Sequence, residues 1–129
     1  MHIEHLAIWT KELETMRQFY ETYFSAISND QYHNPAKAFR SYFLSFATGA
    51  RLELMHTPKI AQQLADWEAE QIGLAHFALS VGSQPKVDQL TSKLQAAGFP
   101  VIGKPRWTGD GYYESVVLDP ENNRIEITI

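Results

Sequence analysis

The sequence predicts an α+β chain built from two βαβββ modules. Two observations carry that reading. One order of apolar patterns, a strand, then a helix, then three strands, runs through the chain twice. The repeat also preserves polar residues: His5-Leu6-Ala7-Ile8 returns as His76-Phe77-Ala78-Leu79, and Arg51-Leu52-Glu53-Leu54 returns as Arg124-Ile125-Glu126-Ile127. A repeat that keeps a histidine and a glutamate implies more than a shared hydrophobic pattern.

In the first half, residues 2–9 read as a short strand, and Thr10 is placed to cap the helix that follows. Leu13, Met16, Phe19, Tyr20, Tyr23 and Phe24 form the apolar stripe of that helix. A second strand is expected over 27–32, then a polar loop around His33-Asn34-Pro35. The aromatic run Phe39–Phe46 reads as a strand, Thr48-Gly49 as a tight turn and Arg51–His56 as the last strand of the module.

The second half repeats the order. Leu74–Val81 reads as a strand, and Ser83 with Pro85 marks a helix start. Val87, Leu90, Leu94 and Ala97 supply the buried stripe, and Gly98 ends the helix. Phe99–Ile102 is the next strand, followed by a Gly/Pro-containing loop to Gly111. Tyr113–Leu118 is another strand, and Asp119-Pro120-Glu121-Asn122-Asn123 turns into a last strand ending at Ile129. Between the halves the chain is polar, with Ile60, Leu64 and Trp67 at helical spacing, which predicts a linker holding a short amphipathic helix. The expectation is one domain over 1–129, with module one at 1–57, the linker at 58–72 and module two at 73–129.

Composition narrows the function. A net charge of −4, with the basic residues scattered, argues against nucleic acid as the partner. No apolar run approaches membrane-spanning length, and residues 1–20 show no signal-peptide pattern. The absence of cysteine removes disulfides, thiolate metal sites and thiol nucleophiles. A cytoplasmic protein, without membrane or nucleic acid as partner, is the expectation.

Strand parity then groups the repeated residues. Side chains alternate between the faces of a strand, so His5 shares a face with Ala7 and Trp9, and Glu53 with Arg51 and Met55. His76 and Glu126 obey the same parity. If the neighbouring leucines and isoleucines pack under the helices, all four polar residues face the opposite, concave side. Taken singly, a glutamate in an alternating strand is usually part of the solvated face. Two carboxylates gathered in a cupped sheet repel and lose hydration unless a positive charge sits between them. Two His and two Glu suit a divalent metal with room left for a substrate.

These residues resemble the vicinal oxygen chelate superfamily, which includes glyoxalase I, the bleomycin-resistance proteins and extradiol dioxygenases. The segment Leu118-Asp119-Pro120-Glu121-Asn122-Asn123-Arg124-Ile125-Glu126 is similar to the family's Asp-Pro turn before its last ligand. The resemblance covers essentially the whole chain. It implies paired βαβββ modules forming a cupped, partly closed mixed sheet with the helices on the outer side. It implies metal ligands at His5, Glu53, His76 and Glu126, and a divalent metal ion that the sequence leaves open among Ni, Zn, Fe, Co and Mn.

A His, Glu, His, Glu set looks most like glyoxalase I and related isomerases. The implied reaction moves a proton beside a metal-bound carbonyl, with Glu126 or Glu53 as the base. The alternatives are a non-catalytic small-molecule binding or sequestering protein, and a metal-dependent thiol transferase or dioxygenase. The resemblance also implies a homodimer, with the modules paired within a chain or exchanged between two. At two positions the chain departs from bacterial-type glyoxalase I. Where the family has an arginine that holds glutathione's carboxylate stands Trp9, and where it has an asparagine stands Thr57. Trp9 offers an aromatic wall in place of a charge clamp.

For the substrate, Trp9, Arg106, Trp107 and Tyr113 are the expected contacts, with Arg106-Trp107 in the loop before Gly109-Asp110-Gly111. Arg40, Tyr42, Phe46 and Tyr112 are further pocket candidates. Gly109-Asp110-Gly111 reads as a turn, His2 and His33 as surface residues, and His56 as facing away from Glu53.

Overall fold

The structure, a computed structural model, describes residues 1–61, 70 and 72–129. The chain divides into two compact units, Met1–Gln63 and Leu64–Ile129, and each holds one module. The helix expected around Leu64 and Trp67 falls outside the described residues.

The first unit contains β1 (His5–Trp9), α1 (Leu13–Phe24), β2 (Ile27–Ser28), β3 (Tyr32–Asn34), β4 (Phe39–Ser45) and β5 (Arg51–His56). Its sheet runs β1-β5-β4-β2, with β3 also paired to β4. The second unit contains β6 (Phe77–Ser80), α2 (Gln84–Ala96), β7 (Val101–Trp107), β8 (Tyr113–Leu118) and β9 (Arg124–Thr128), in the order β6-β9-β8-β7. In both sheets the first strand pairs in parallel with the last, and the remaining pairs are antiparallel. This is the expected α+β architecture of two mixed sheets, and among the described residues neither closes into a barrel.

Each sheet buries one face under its helix. In the first unit Met16 and Tyr20 of α1 are fully buried, as are Leu44 and Leu54 of the sheet. In the second, Val87 and Leu94 of α2 are buried, as are Val117, Ile125 and Ile127. Burying a side chain of this size stabilises the fold by about 2 kcal/mol, so the alternate apolar residues fix which way each strand faces.

β5 and β8 span the residues their apolar alternation predicts, and the helices bury nearly the expected stripes. Elsewhere the chain departs from its pattern. Thr10 is not the N-cap of α1: that place is taken by Glu12, whose side chain makes no capping bond. Thr10 is buried at the end of β1 instead, its N–H donating to the Met55 carbonyl at 2.8 Å. The strand expected over 27–32 splits into β2 and β3. Between them, Asn29 accepts the Phe43 N–H at 2.8 Å through its side chain and so mimics the ladder. The expected loop at 33–35 is the end of β3 and the start of a 3-10 turn, Pro35–Lys37, capped by Asn34. In α2, Thr91 takes the buried place expected of Leu90 and Ala97. Its hydroxyl meets both the Val87 carbonyl and the Ser115 hydroxyl at 2.6 Å, so the polar group carries no unpaired cost.

Tyr42 ties the first sheet to its helix. Its hydroxyl donates to Glu14 of α1 at 2.7 Å, and Arg17 of the same helix pairs with Glu14 at 3.0 Å. The Tyr42 bond, then Arg17, hold the Glu14 carboxyl below its ordinary value, and burial with the same bond holds the Tyr42 phenol above its own. A depressed carboxyl stabilises the fold above its unfolded pKa and loses that contribution as pH falls through the folded one. Tyr42→Phe should therefore cost about 0.5–1 kcal/mol at pH 7, after allowance for solvent screening of the half-exposed Glu14. The deficit should shrink as Glu14 protonates in acid. Urea unfolding of both proteins from pH 3 to 7 measures it, and a deficit independent of pH would contradict it.

Candidate metal centre

Strand register places the four repeated residues. In the first unit Ala7 lies beside Glu53 across the parallel pair, and in the second Ala78 lies beside Glu126. The histidine stands two residues earlier on the same face in each case, diagonal to the glutamate. His5 Nε2 is 3.9 Å from Glu53 Oε2, and His76 Nε2 is 3.1 Å from Glu126 Oε1. The structure thus brings each histidine to the glutamate of its own module. His76 itself lies one residue before β6, which is shorter than its apolar pattern predicts. Among the described residues no three His, Cys, Asp or Glu side chains gather as a metal-holding group; each unit holds one His–Glu pair.

The surroundings of the two pairs differ. His5 Nδ1 meets Glu4 Oε2 at 2.5 Å, and Glu4 is held in turn by Arg51, whose Nε donates at 2.9 Å. With Nδ1 engaged by a carboxylate, His5 presents Nε2 toward Glu53. The Glu4 carboxyl is lowered by its bonds to His5 and then Arg51. Arg51 also lies over the Phe43 ring at 4.2 Å, and that ring meets His5 edge-on at 5.3 Å. In the second unit Ala75 precedes His76, so the matching position offers no carboxylate.

The Asp119 turn positions Glu126. Asp119 is buried, and its Oδ1 accepts the N–H groups of Glu121 and Asn123, each at 2.9 Å. Its Oδ2 accepts from the Asn123 side chain at 2.8 Å. This closes the hairpin between β8 and β9 and sets Glu126 beside Val116.

The expected substrate contacts separate by face. Trp9 lies on the His5 face and is half exposed. Its ring meets Phe39 at 6.2 Å, and Phe39 meets Tyr32 at 6.1 Å. Tyr32 and Phe39 were not singled out by the sequence. They join Trp9 because β3 and β4 set Tyr32 opposite Ser41, on the Glu53 side of the sheet. Arg106 belongs to β7, not to a loop, and pairs across the strands with Glu114. Trp107 is paired with Tyr113 on the other face, the rings 5.3 Å apart, and the Tyr113 hydroxyl donates to Asp88 of α2 at 2.7 Å. Tyr42 also turns to its helix, as described above. His56 faces away from Glu53, as its parity requires, with Nδ1 at 2.9 Å from the Thr10 carbonyl.

Glu114 escaped sequence reading. It is buried on the Glu126 face, and its Oε1 accepts from Arg106 Nη2 at 3.3 Å. The available signal was a glutamate within the strand run Tyr113–Leu118, whose only other polar residue is Ser115, two residues before the Val116 that pairs with Glu126. Burial, together with the Glu114 and Asp110 charges, pushes the Glu126 carboxyl up, against the lowering effect of His76 and Arg106.

The Glyoxalase/Bleomycin resistance protein/Dioxygenase superfamily pattern matches residues 2–127. The chain is similar to the uncharacterized protein YqjT of Bacillus subtilis (strain 168), at 23% identity over 97% of this chain and 96% of that protein. In structure it is similar to a glyoxylase/bleomycin resistance protein/dioxygenase domain from Frankia sp. EAN1pec. That match has a TM-score of 0.83 at 16% identity and covers 100% of this chain and 97% of the other. It is also similar to the trypanothione-dependent glyoxalase I of Leishmania major, with a TM-score of 0.76 at 18% identity over 99% and 86% of the two chains. At such identities the structural likenesses establish the fold.

A carboxyl whose pKa is raised by folding stabilises the fold below its unfolded pKa and loses that contribution as pH rises through the folded one. Glu126→Gln should therefore stabilise the metal-free protein at pH 7, by about 0.5–1 kcal/mol, with the gain vanishing near pH 4. Chemical denaturation in the presence of chelator measures it. A Gln variant less stable than its parent at pH 7 would contradict it.

Proposed function

We propose that this chain, which belongs to the Glyoxalase/Bleomycin resistance protein/Dioxygenase superfamily, is a metal-dependent lyase or isomerase of the glyoxalase I kind. The observation that carries this reading is the matched His–Glu pair in each module, at the same register of the same parallel strand pair. Two donors about 2.1 Å from one ion at a right angle stand roughly 3 Å apart. The 3.1 Å of His76 and Glu126 fits that geometry as it stands, and the 3.9 Å of His5 and Glu53 requires a small side-chain rotation. The Glu4 carboxylate on His5 Nδ1 is the outer support that a ligating histidine commonly has.

In this reading His5, Glu53, His76 and Glu126 would be the ligands of a divalent ion, Ni, Zn, Fe, Co or Mn, in a homodimer. The ion supplies stabilisation of negative charge on a substrate oxygen. Glu126 and Glu53 are the catalytic carboxylates: one takes a proton from the carbon beside the substrate carbonyl, and the pair returns it to the neighbouring carbon. Trp9, backed by Phe39 and Tyr32, gives the site an aromatic wall, and Arg106 gives it a cation. Trp107 and Tyr113 support the end of β7 from the other face.

A second reading, small-molecule binding without turnover, draws on the same aromatic row. It predicts tight binding of an aromatic ligand that survives chelation. The transferase and dioxygenase chemistries of the superfamily are distinguished by product analysis with thiol or catechol substrates.

The metal test is direct. After reloading with each divalent ion, the protein should hold about one ion per chain by elemental mass spectrometry. Glu126→Ala and His5→Ala should weaken binding severely, and Glu4→Gln by roughly 10-fold with no loss of fold. No metal in the parent protein would sink the proposal. A screen of methylglyoxal with several thiols across the loaded forms then reads the activity.

A further inference from the structure

On the face that carries the His–Glu pairs, the two modules diverge at one register position. Val116 lies beside Glu126 as Phe43 lies beside Glu53, so Glu114 corresponds to Ser41. Their partners on the next strand are Arg106 and Tyr32. The fold is therefore satisfied by a serine and a tyrosine at this place. The second module instead places a buried carboxylate there, paired with a half-exposed arginine. A charged pair that the equivalent place in the other module lacks, on the face that carries Glu126, calls for an explanation beyond the fold.

Backbone geometry aims the arginine. Gly103 pairs with Val116 and Arg106 with Glu114, so three steps along β7 match two along β8, and the bulge sets both residues on the Glu126 face. A Cβ at Gly103 would lie 3.3 Å from Arg106 Nη1 and 3.0 Å from Val116 Cγ2. The bare glycine is what lets the guanidinium fold back toward the row that holds Glu126. Glu114 engages Nη2, and half of the arginine side chain remains exposed.

We propose that Arg106, anchored by Glu114 and seated over Gly103, binds the carboxylate of the substrate, which makes 2-oxo and 2-hydroxy carboxylic acids the substrate class of this site. Successive same-face rows of a sheet are about 7 Å apart. The folded-back guanidinium shortens that span to the reach of a small acid whose carboxylate adjoins the reacting carbon. The planar fork of an arginine matches a carboxylate, and an uncharged amide forfeits that charge-assisted pairing. The inference rests on the reading of His76 and Glu126 as metal ligands and names the substrate of that same centre.

Calorimetric titration of the metal-reloaded protein with pyruvate and with pyruvamide tests it, with bound metal measured on the same samples. Arg106→Gln should weaken pyruvate by about 10-fold or more while leaving pyruvamide within about 2-fold and the metal content unchanged. The double variant Arg106→Gln/Glu114→Gln, which leaves no unpaired buried charge, should show the same selective loss. Failure of the parent protein to bind pyruvate, unchanged pyruvate affinity in both variants, or an equal fall for the two probes would overturn the proposal. A parent protein without metal whose pyruvate binding still depends on Arg106 would instead overturn the metal reading alone.

Discussion

Both His–Glu pairs depend on a parallel pairing between strands far apart in sequence. β1 joins β5, and β6 joins β9, at one shared register. Parallel neighbours need a long crossover, which the helix and the hairpin strands of each module supply. Leu52 and Leu54 in one sheet and Ile125 and Ile127 in the other are 0–2% exposed, and they fix the register. A slip of one residue would turn these side chains to the open face and drive Glu53 or Glu126 under a helix. The core and the candidate centre are thus two faces of one constraint: the same alternation that buries the leucines presents the glutamates.

Around that constraint the modules have diverged. The first surrounds its histidine with Glu4, Arg51 and the Phe43 ring, and extends an aromatic row through Trp9, Phe39 and Tyr32. The second has Ala75 before its histidine, Val116 in place of the ring and a charged pair in place of Ser41 and Tyr32. The repeated skeleton gives like His–Glu pairs, and the flanks differ: aromatic in the first unit, charged in the second.

Much of this was readable from residues alone, for reasons that also explain the misses. Alternation in Arg51–His56 and Tyr113–Leu118 is regular, so strand limits and facing follow from a period of two. β7 defeats that arithmetic because two register shifts interrupt it. Arg106 and Trp107 read as loop when both are paired strand residues, and only the pairing shows that one faces Glu126 while the other packs on Tyr113. Thr10 has the chemistry of a cap, but the helix starts later, with Glu12 as its N-cap, and Thr10 continues β1 through its bond to the Met55 carbonyl. Glu114 looked like one more polar residue because its burial depends on β7 and β9 flanking it, which no local pattern records.

Gly103 carries a consequence for drift. Any side chain there meets Val116 on one side and Arg106 on the other. A side chain at position 103 therefore requires Val116 to shift or shrink, and it displaces the folded-back end of Arg106. Among relatives, a larger residue at 103 should accompany a smaller one at 116 and an arginine at 106 that no longer folds back, a covariation imposed by the space between two strands.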